Sequence, residues 1–480
     1  MRPAARLAPN WSRVATTWLP FADAASDGLP LARLLRLALF QVSVGMTMVL
    51  LNGTLNRVMI VELGTPAWLV ASLIALPLLF APFRALIGHR SDTHRSVLGW
   101  RRVPYIWFGT LMQFGGLAIM PFALLLLGRE EDFAIGLGAS ALAFILAGAG
   151  MHTTQTAGLA LATDLAPEDK RPRAVALLYV MLLAGMMLSA LLISSLLIDF
   201  TPTRLVQVIQ GAAVLTVVLN IIALWKQEAR NAAVAAHDTP RPPFAQVWQQ
   251  FTAEPETRRL LTAIGLGAAA FAMQDALLEP YGGEVLGLSV GATTGLTGAW
   301  AFGTLLGFAM TAKRLEQGTE PLRLAGFGVA IGVAAFMLVI FAAPLALPAL
   351  LLCGAIAIGF GGGLFSVGTL VAAMRLARDG TSGIALGAWG AVQASAAGLA
   401  IATGGILRDI ISRYAVADGL GATVAVRATG YTSVYLLEIV LLLATLVVVG
   451  PLVGRKLHTL PRNELPSPGQ ARFGLTEFPT

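Results

Sequence analysis

Apolar residues along the chain run in long blocks separated by short polar stretches. A bilayer core about 30 Å thick needs about 20 such residues in a helix, because nothing inside lipid except the helix's own ladder satisfies backbone hydrogen bonds. Twelve blocks meet that requirement, at 37–61, 67–87, 103–127, 134–162, 174–198, 205–225, 260–278, 286–312, 324–341, 348–374, 383–406 and 431–453. The pattern predicts an all-α polytopic membrane protein of twelve spans. The first block begins beyond residue 36 and is too long for a signal-peptide core, so no cleavage is expected.

The polar stretches set the organisation. Residues 226–259 contain Pro240, Pro242, Pro243 and Pro255 and separate two sets of six spans, 37–225 and 260–453, as a central cytoplasmic linker would. Cytoplasmic loops keep an excess of lysine and arginine. With both termini inside, 27 of the 33 basic residues fall on the inner side, and the other six are Arg57, Arg129, Arg204, Arg408, Arg413 and Arg427. The tails, 1–36 and 454–480, are then cytoplasmic. Trp11, Trp18 and Phe21 with Arg2, Arg6 and Arg13 suit the first tail to the headgroup layer, or to solution.

Composition narrows the class further. The chain is 56% hydrophobic and 12% charged, against roughly 25% charged in a soluble globular protein. The formal charge of +7 is accounted for by topology, which leaves nucleic acid no role. A lone cysteine, Cys353, excludes an internal disulfide and a four-thiolate metal site, and its apolar surroundings predict a small packing residue. Walker A and HExxH motifs are absent. Gly287-Leu288-Ser289-Val290-Gly291 matches a nucleophile elbow in letters only, since it opens a membrane helix instead of joining a strand to a helix.

The most informative loop is Gly88-His89-Arg90-Ser91-Asp92-Thr93-His94-Arg95, followed by Gly99-Trp100-Arg101-Arg102. As residues it is a tight basic hairpin. As a pattern, Gly88, Asp92, Arg95, Arg101 and Arg102 resemble the signature between spans two and three of the major facilitator superfamily. That resemblance implies two six-helix bundles; the corresponding second-half loop, 312–323, lacks the aspartate.

Three runs narrow the resemblance: Gly99-Trp100-Arg101-Arg102-Val103-Pro104-Tyr105-Ile106-Trp107, the stretch from His152 to Asp164, and Gln274-Asp275-Ala276-Leu277-Leu278-Glu279-Pro280-Tyr281-Gly282-Gly283. They are similar to those of the PucC/LhaA group, the bacteriochlorophyll delivery family of major-facilitator-like proteins in phototrophic bacteria. The resemblance runs from about Arg33 to Val453. It implies a non-enzymatic assembly factor for light-harvesting antenna in the bacterial inner, photosynthetic membrane, with the core antenna favoured over the peripheral one. Implied partners are core antenna polypeptides, the reaction centre, lipids and enzymes of bacteriochlorophyll synthesis, with bacteriochlorophyll as cofactor.

Intramembrane polar groups point to function because each is costly unless paired or facing a cavity. Arg57, Asp275 and Glu279 form the charged set; similar depth on spans one and seven predicts that Arg57 pairs with one of the acids. His152, Gln155, Gln113, Gln274, Asn52 and Asn56 form the neutral set, suited to bonds between helices. Under the resemblance, His152 is also a candidate ligand for pigment magnesium, with Gly148 leaving room for a flat ring and Gln155 and Thr156 near its carbonyls. A core histidine bonded to a carbonyl is the competing reading. Gly359 with Gly363 and Gly383 with Gly387 suit close helix packing, or the passage of a pigment tail or partner helix. A proton-coupled transporter of a small amphipathic solute, with Asp275 or Glu279 titrating, is the alternative function. An enzyme of pigment synthesis is disfavoured, since no D-x-x-x-D acidic cluster stands out.

Overall fold

The computed structural model of the chain describes residues 29–80, 100, 102–167, 170–228, 254–376, 382–417 and 424–454. Twelve helical segments follow in order: α1 (Leu31–Glu62), α2 (Ala67–Ala75, prolonged by a 3-10 turn over Leu76–Phe80), α3 (Val103–Leu127), α4 (Phe133–Leu165), α5 (Arg171–Leu196) and α6 (Pro202–Leu224), then α7 (Pro255–Glu284), α8 (Val290–Glu316), α9 (Pro321–Ala342), α10 (Pro348–Leu376), α11 (Ser382–Ala417) and α12 (Val424–Val449). Among the described residues there is no strand. Prolines open α3, α5, α6, α7 and α9, where the missing N–H is one that a helix end leaves unsatisfied anyway. Ser289 and Thr201 cap α8 and α6 by accepting from Ala292 N and Arg204 N.

Ten of these helices are long and apolar enough to cross a bilayer, and the chain is a multi-pass membrane protein. The sixth and seventh of the expected blocks bracket the change of bundle: α1–α6 pack on one another, as do α7–α12, and the two sets meet chiefly through α5 with α8 and α2 with α11. Most of α8 lies between neighbours, and Thr293, Thr294, Thr304 and Thr311 are buried along it.

Glycine governs how near the helices come. A Cβ on Gly359 of α10 would overlap the Trp300 carbonyl of α8, and one on Gly303 of α8 would overlap the Ile356 carbonyl of α10. Gly363 faces the Thr304 carbonyl and Gly307, so close packing is the use this pair is put to. The surroundings of Gly383 and Gly387 lie outside the described residues, as do residues 1–28, Gly88, Asp92, Arg95, Arg101 and most of the linker, 229–253.

Several expectations need correction. Helices run past the apolar blocks: α7 reaches Glu284 and α11 reaches Ala417, because the acids and arginines beyond the blocks find partners inside the protein. Asp275 and Glu279 both lie within α7, Glu279 beyond the end of the apolar block. Two spans are also irregular. α7 tightens to 3-10 over Met273–Ala276, one turn before Pro280, whose ring has no N–H for the Ala276 carbonyl and crowds it. α1 widens to π geometry over Val49–Thr54 and again over Val58–Glu62. Cys353 is exposed on α10 and not packed inside.

The glycine seam gives a direct test. Gly359→Val should lower the thermal stability of detergent-solubilised protein by about 1–3 kcal/mol or prevent accumulation, since a backbone carbonyl cannot move aside. Gly138→Val, where an added Cβ meets nothing within 4 Å, should accumulate and melt like the wild type.

Candidate functional site

The two bundles meet along two seams at the outer ends of their helices. On one, a Cβ at Gly405 of α11 would stand 2.5 Å from Ala71 Cβ of α2. Next to it, Asp409 accepts from Trp68 N at 2.9 Å, so an acid of the second bundle caps the positive end of a helix in the first. Arg408 anchors this cap: it bonds Asp409 Oδ1 at 2.7 Å, pairs with Glu284 of α7, donates to Tyr431 Oη at 3.1 Å and lies 4.6 Å from the Tyr431 ring centroid. Tyr431 donates in turn to Glu284 at 2.9 Å. On the other seam, Ser194 of α5 donates to the Gly291 carbonyl of α8 at 2.7 Å, and Gly291 has no room for a Cβ.

Free volume lies on the inner side. A cavity of about 380 Å³ is lined by Tyr179, Phe308, Ser366, Trp389 and Gln393, with small and aliphatic residues between them. These positions fall in the cytoplasmic halves of α5, α8, α10 and α11. Trp389 Nε1 donates to Thr369 at 3.2 Å and Gln393 Nε2 to Ser366 at 3.2 Å, so these polar groups hold one another, and among the described residues no ionisable side chain except the Tyr179 phenol lines the space. Its size is at the lower end of the roughly 300–1,000 Å³ usual for small-ligand sites.

The irregular segments of α1 and α7 cross between the cavity and the outer seams. Asn56 Nδ2 donates to the Asn52 carbonyl at 3.1 Å and to the Asp275 carbonyl at 3.4 Å. Thr54 bonds Thr294 of α8 at 3.0 Å, and Glu279 accepts from Thr297 of α8 while resting where a Cβ on Gly53 would be. Gln274 donates to the Asp275 carboxyl. Arg57 does reach α7, but not its acids. It is buried, pairs with Glu62 on its own helix, donates to the Leu288 carbonyl at 3.1 Å and lies against Gly283. Among the described residues no ion pair joins Arg57 to Asp275 or Glu279, which corrects the expected pairing; Glu62, one turn further on α1, is the nearer acid. The set also gains Glu438 of α12, an acid inside an apolar run, which is 0% exposed and has no side-chain hydrogen bond to either oxygen.

His152 and Gln155 are buried on α4 and Thr156 is partly so. Gly148 does not leave a gap: a Cβ there would overlap the Pro77 ring of α2. A flat ring does fill the notch, and it is the proline's. As it stands, the notch at Gly148 has no room for a pigment ring. The neutral amides elsewhere knit helices, with Gln113 Nε2 donating to the Ser43 carbonyl at 3.0 Å and to Thr47, and Asn220 to Thr110 at 2.8 Å.

At the cytoplasmic end, two of the motif runs are joined directly. Buried Arg102 pairs through Nε with Asp164 at 2.9 Å, while Glu228, just after α6, accepts from Arg102 N at 3.1 Å and Val103 N at 2.9 Å. Arg102 is thus a clamp between α3 and α4, and Glu228 caps α3.

Comparison with known proteins places this geometry. The profile of the family described as PUCC protein matches residues 54–457. The chain is 54% identical over 97% of its length to an "Uncharacterized protein in puhA-bchM intergenic region" of Rhodobacter capsulatus, covering 98% of that protein. It is 56% identical to "Protein PucC" of Rhodovulum sulfidophilum over 83% of this chain and 90% of that one. A "Bacteriochlorophyll synthase 44.5 kDa chain" of Rhodobacter capsulatus is 30% identical over 80% of this chain and 88% of its own. Among solved structures, a bacterial homologue of the human lysosomal transporter Spinster, inward-facing and unoccupied, superposes with a TM-score of 0.65 at 14% identity, over 87% of this chain and 95% of that one. That likeness is one of fold: the chain has the major facilitator architecture.

The outer cluster should be a principal support of the closed arrangement. Arg408→Gln leaves Glu284 and Asp409, both largely buried, without their cation. A loss of about 3–5 kcal/mol is expected, read as a lower melting temperature in detergent, with Arg408→Lys intermediate because an ammonium cannot serve three partners in a plane.

Proposed function

The chain belongs to the PUCC family, and from that premise we propose that it is a non-enzymatic assembly factor for light-harvesting antenna complexes. In this reading it binds antenna polypeptides of the core complex, with the reaction centre alongside, and handles bacteriochlorophyll passing between its synthesis enzymes and the nascent antenna. It does so in the bacterial inner, intracytoplasmic photosynthetic membrane. The observation that carries the reading is the family match across both bundles, not one domain of it. A relative whose name is tied to bacteriochlorophyll supports the pigment part. The uncharged, aromatic character of the inner cavity supports it too, since such walls suit part of an apolar pigment better than an ion or a sugar. Ser289, the one residue in a catalytic-looking pattern, is occupied as a helix cap.

A second reading, a proton-coupled transporter of a small amphipathic solute, is favoured by one feature: the bundles close outside and leave a cavity inside. Purification from photosynthetic membranes in mild detergent separates the two. Bacteriochlorophyll absorbance and core antenna polypeptides should travel with the tagged protein. A colourless monomer that accumulates solute in vesicles would replace the first reading by the second.

The poor fit at Gly148 sets a further expectation. His152→Leu should retain whatever pigment co-purifies, with an unchanged spectrum. Loss of pigment from a stably folded His152→Leu protein would instead mean that Pro77 withdraws and the imidazole ligates the magnesium.

A further inference from the structure

Among the described residues, three acids lie around the break in α7 outside any ion pair, Glu279 and Glu438 buried and Asp275 half-buried. Glu438 is 0% exposed, and neither of its oxygens has a side-chain hydrogen-bond partner. It lies beside the backbone of Gln274 and near the carboxyl of Asp275. Glu279 is likewise buried; one oxygen takes the Thr297 hydroxyl and the other has no partner. Among the described residues, the cations in reach are committed elsewhere. From α1, Arg57 is paired with Glu62, acting on Glu279 only through space. From α11, Arg408 is held by Glu284 and Asp409. α8 contributes only the hydroxyls of Thr294 and Thr297, and α12 the phenols of Tyr431 and Tyr435. From α9, the groups that meet this region are the Val339 carbonyl, which accepts from Tyr281 of α7, and the Phe336 ring.

An unpaired carboxylate in such surroundings is far more costly than a neutral acid. Glu438 has no side-chain donor on either oxygen and Glu279 none on one of its two, which a carboxylate tolerates far less well than a protonated acid.

We propose that the α7 break is a proton-binding site, formed by Glu438 and Asp275 with Glu279 beside them, whose protons favour the arrangement closed at the outer seams. Parting of those seams admits water to the break, where the acids ionise. The closed form therefore holds more protons than the open one, so acid stabilises closure and rising pH releases it. The site is independent of which cargo or partner the protein serves.

Infrared spectroscopy of the full-length protein in lipid nanodiscs tests the first half. Wild type at neutral pH should show a protonated-carboxyl band that disappears on alkaline titration, and Glu438→Gln and Asp275→Asn should each remove part of it. Absence of the band in wild type, or a band untouched by both substitutions, overturns the proposal. The second half is read with Gly295→Cys in a Cys353→Ala background. Gly295 faces Ser194 across the α5–α8 seam with room for a Cβ. Labelling from the outside by an impermeant maleimide, normalised to an exposed reference cysteine, should rise several-fold from mildly acidic to alkaline pH. In the same background Glu438→Gln, locked neutral, should flatten that rise. An undiminished rise in the Gln variant, or no rise without it, overturns the coupling.

Discussion

A bilayer core offers no solvent for a polar group, and the irregular stretches of α1 and α7 are arranged around that fact. Where α1 widens and α7 tightens, backbone groups are released from the regular ladder. The two helices are placed so that these stretches meet, and the Asp275 carbonyl takes the Asn56 amide. The side chains needed to hold the crossing, Thr54, Thr294 and Thr297, come from α1 and α8. The polar side chains on these segments would be costly facing lipid. Facing each other, they bring both bundles to a common centre.

How much of this was legible depended on whether a residue's partner is near in sequence. Twelve helices and their order follow from block length alone, and the family from three short runs of residues. The clamp between Arg102 and Asp164 joined two of those runs, yet nothing local links them: they are 62 positions apart. Arg57 was expected to look across to Asp275 or Glu279 because depth was the only guide available; Glu62, at the rim of the same helix, lay outside the expected depth match. Gly148 shows the same limit in reverse. A missing side chain is visible in sequence, but what fills the space is not, and Pro77 fills it. Glu438 stood in plain view as an acid inside an apolar run. Pro280, which accounts for the α7 break, was equally visible.

The helix ends were misjudged for a related reason. Apolar block length measures what lipid requires, whereas a helix continues as long as its polar residues have somewhere to bond. Arg408 and Asp409 extend α11 beyond its apolar block because Glu284, Tyr431 and the start of α2 receive them. Arg408, one of the six basic residues off the inner side, is thus one of those that lock the bundles together.

The placement of the Ser194–Gly291 contact has a mechanical side. α5 is a rod of 26 residues, about 39 Å at 1.5 Å per residue, and this contact grips it near one end. The same rod is held again at mid-length, where a Cβ on Gly45 of α1 would stand 2.7 Å from the Leu182 carbonyl and one on Gly185 would stand 2.7 Å from Val42 Cα. One helix is thus moored to both bundles, by its tip to α8 and by its middle to α1, so α8 cannot shift against the first bundle without loading the helix that α1 holds.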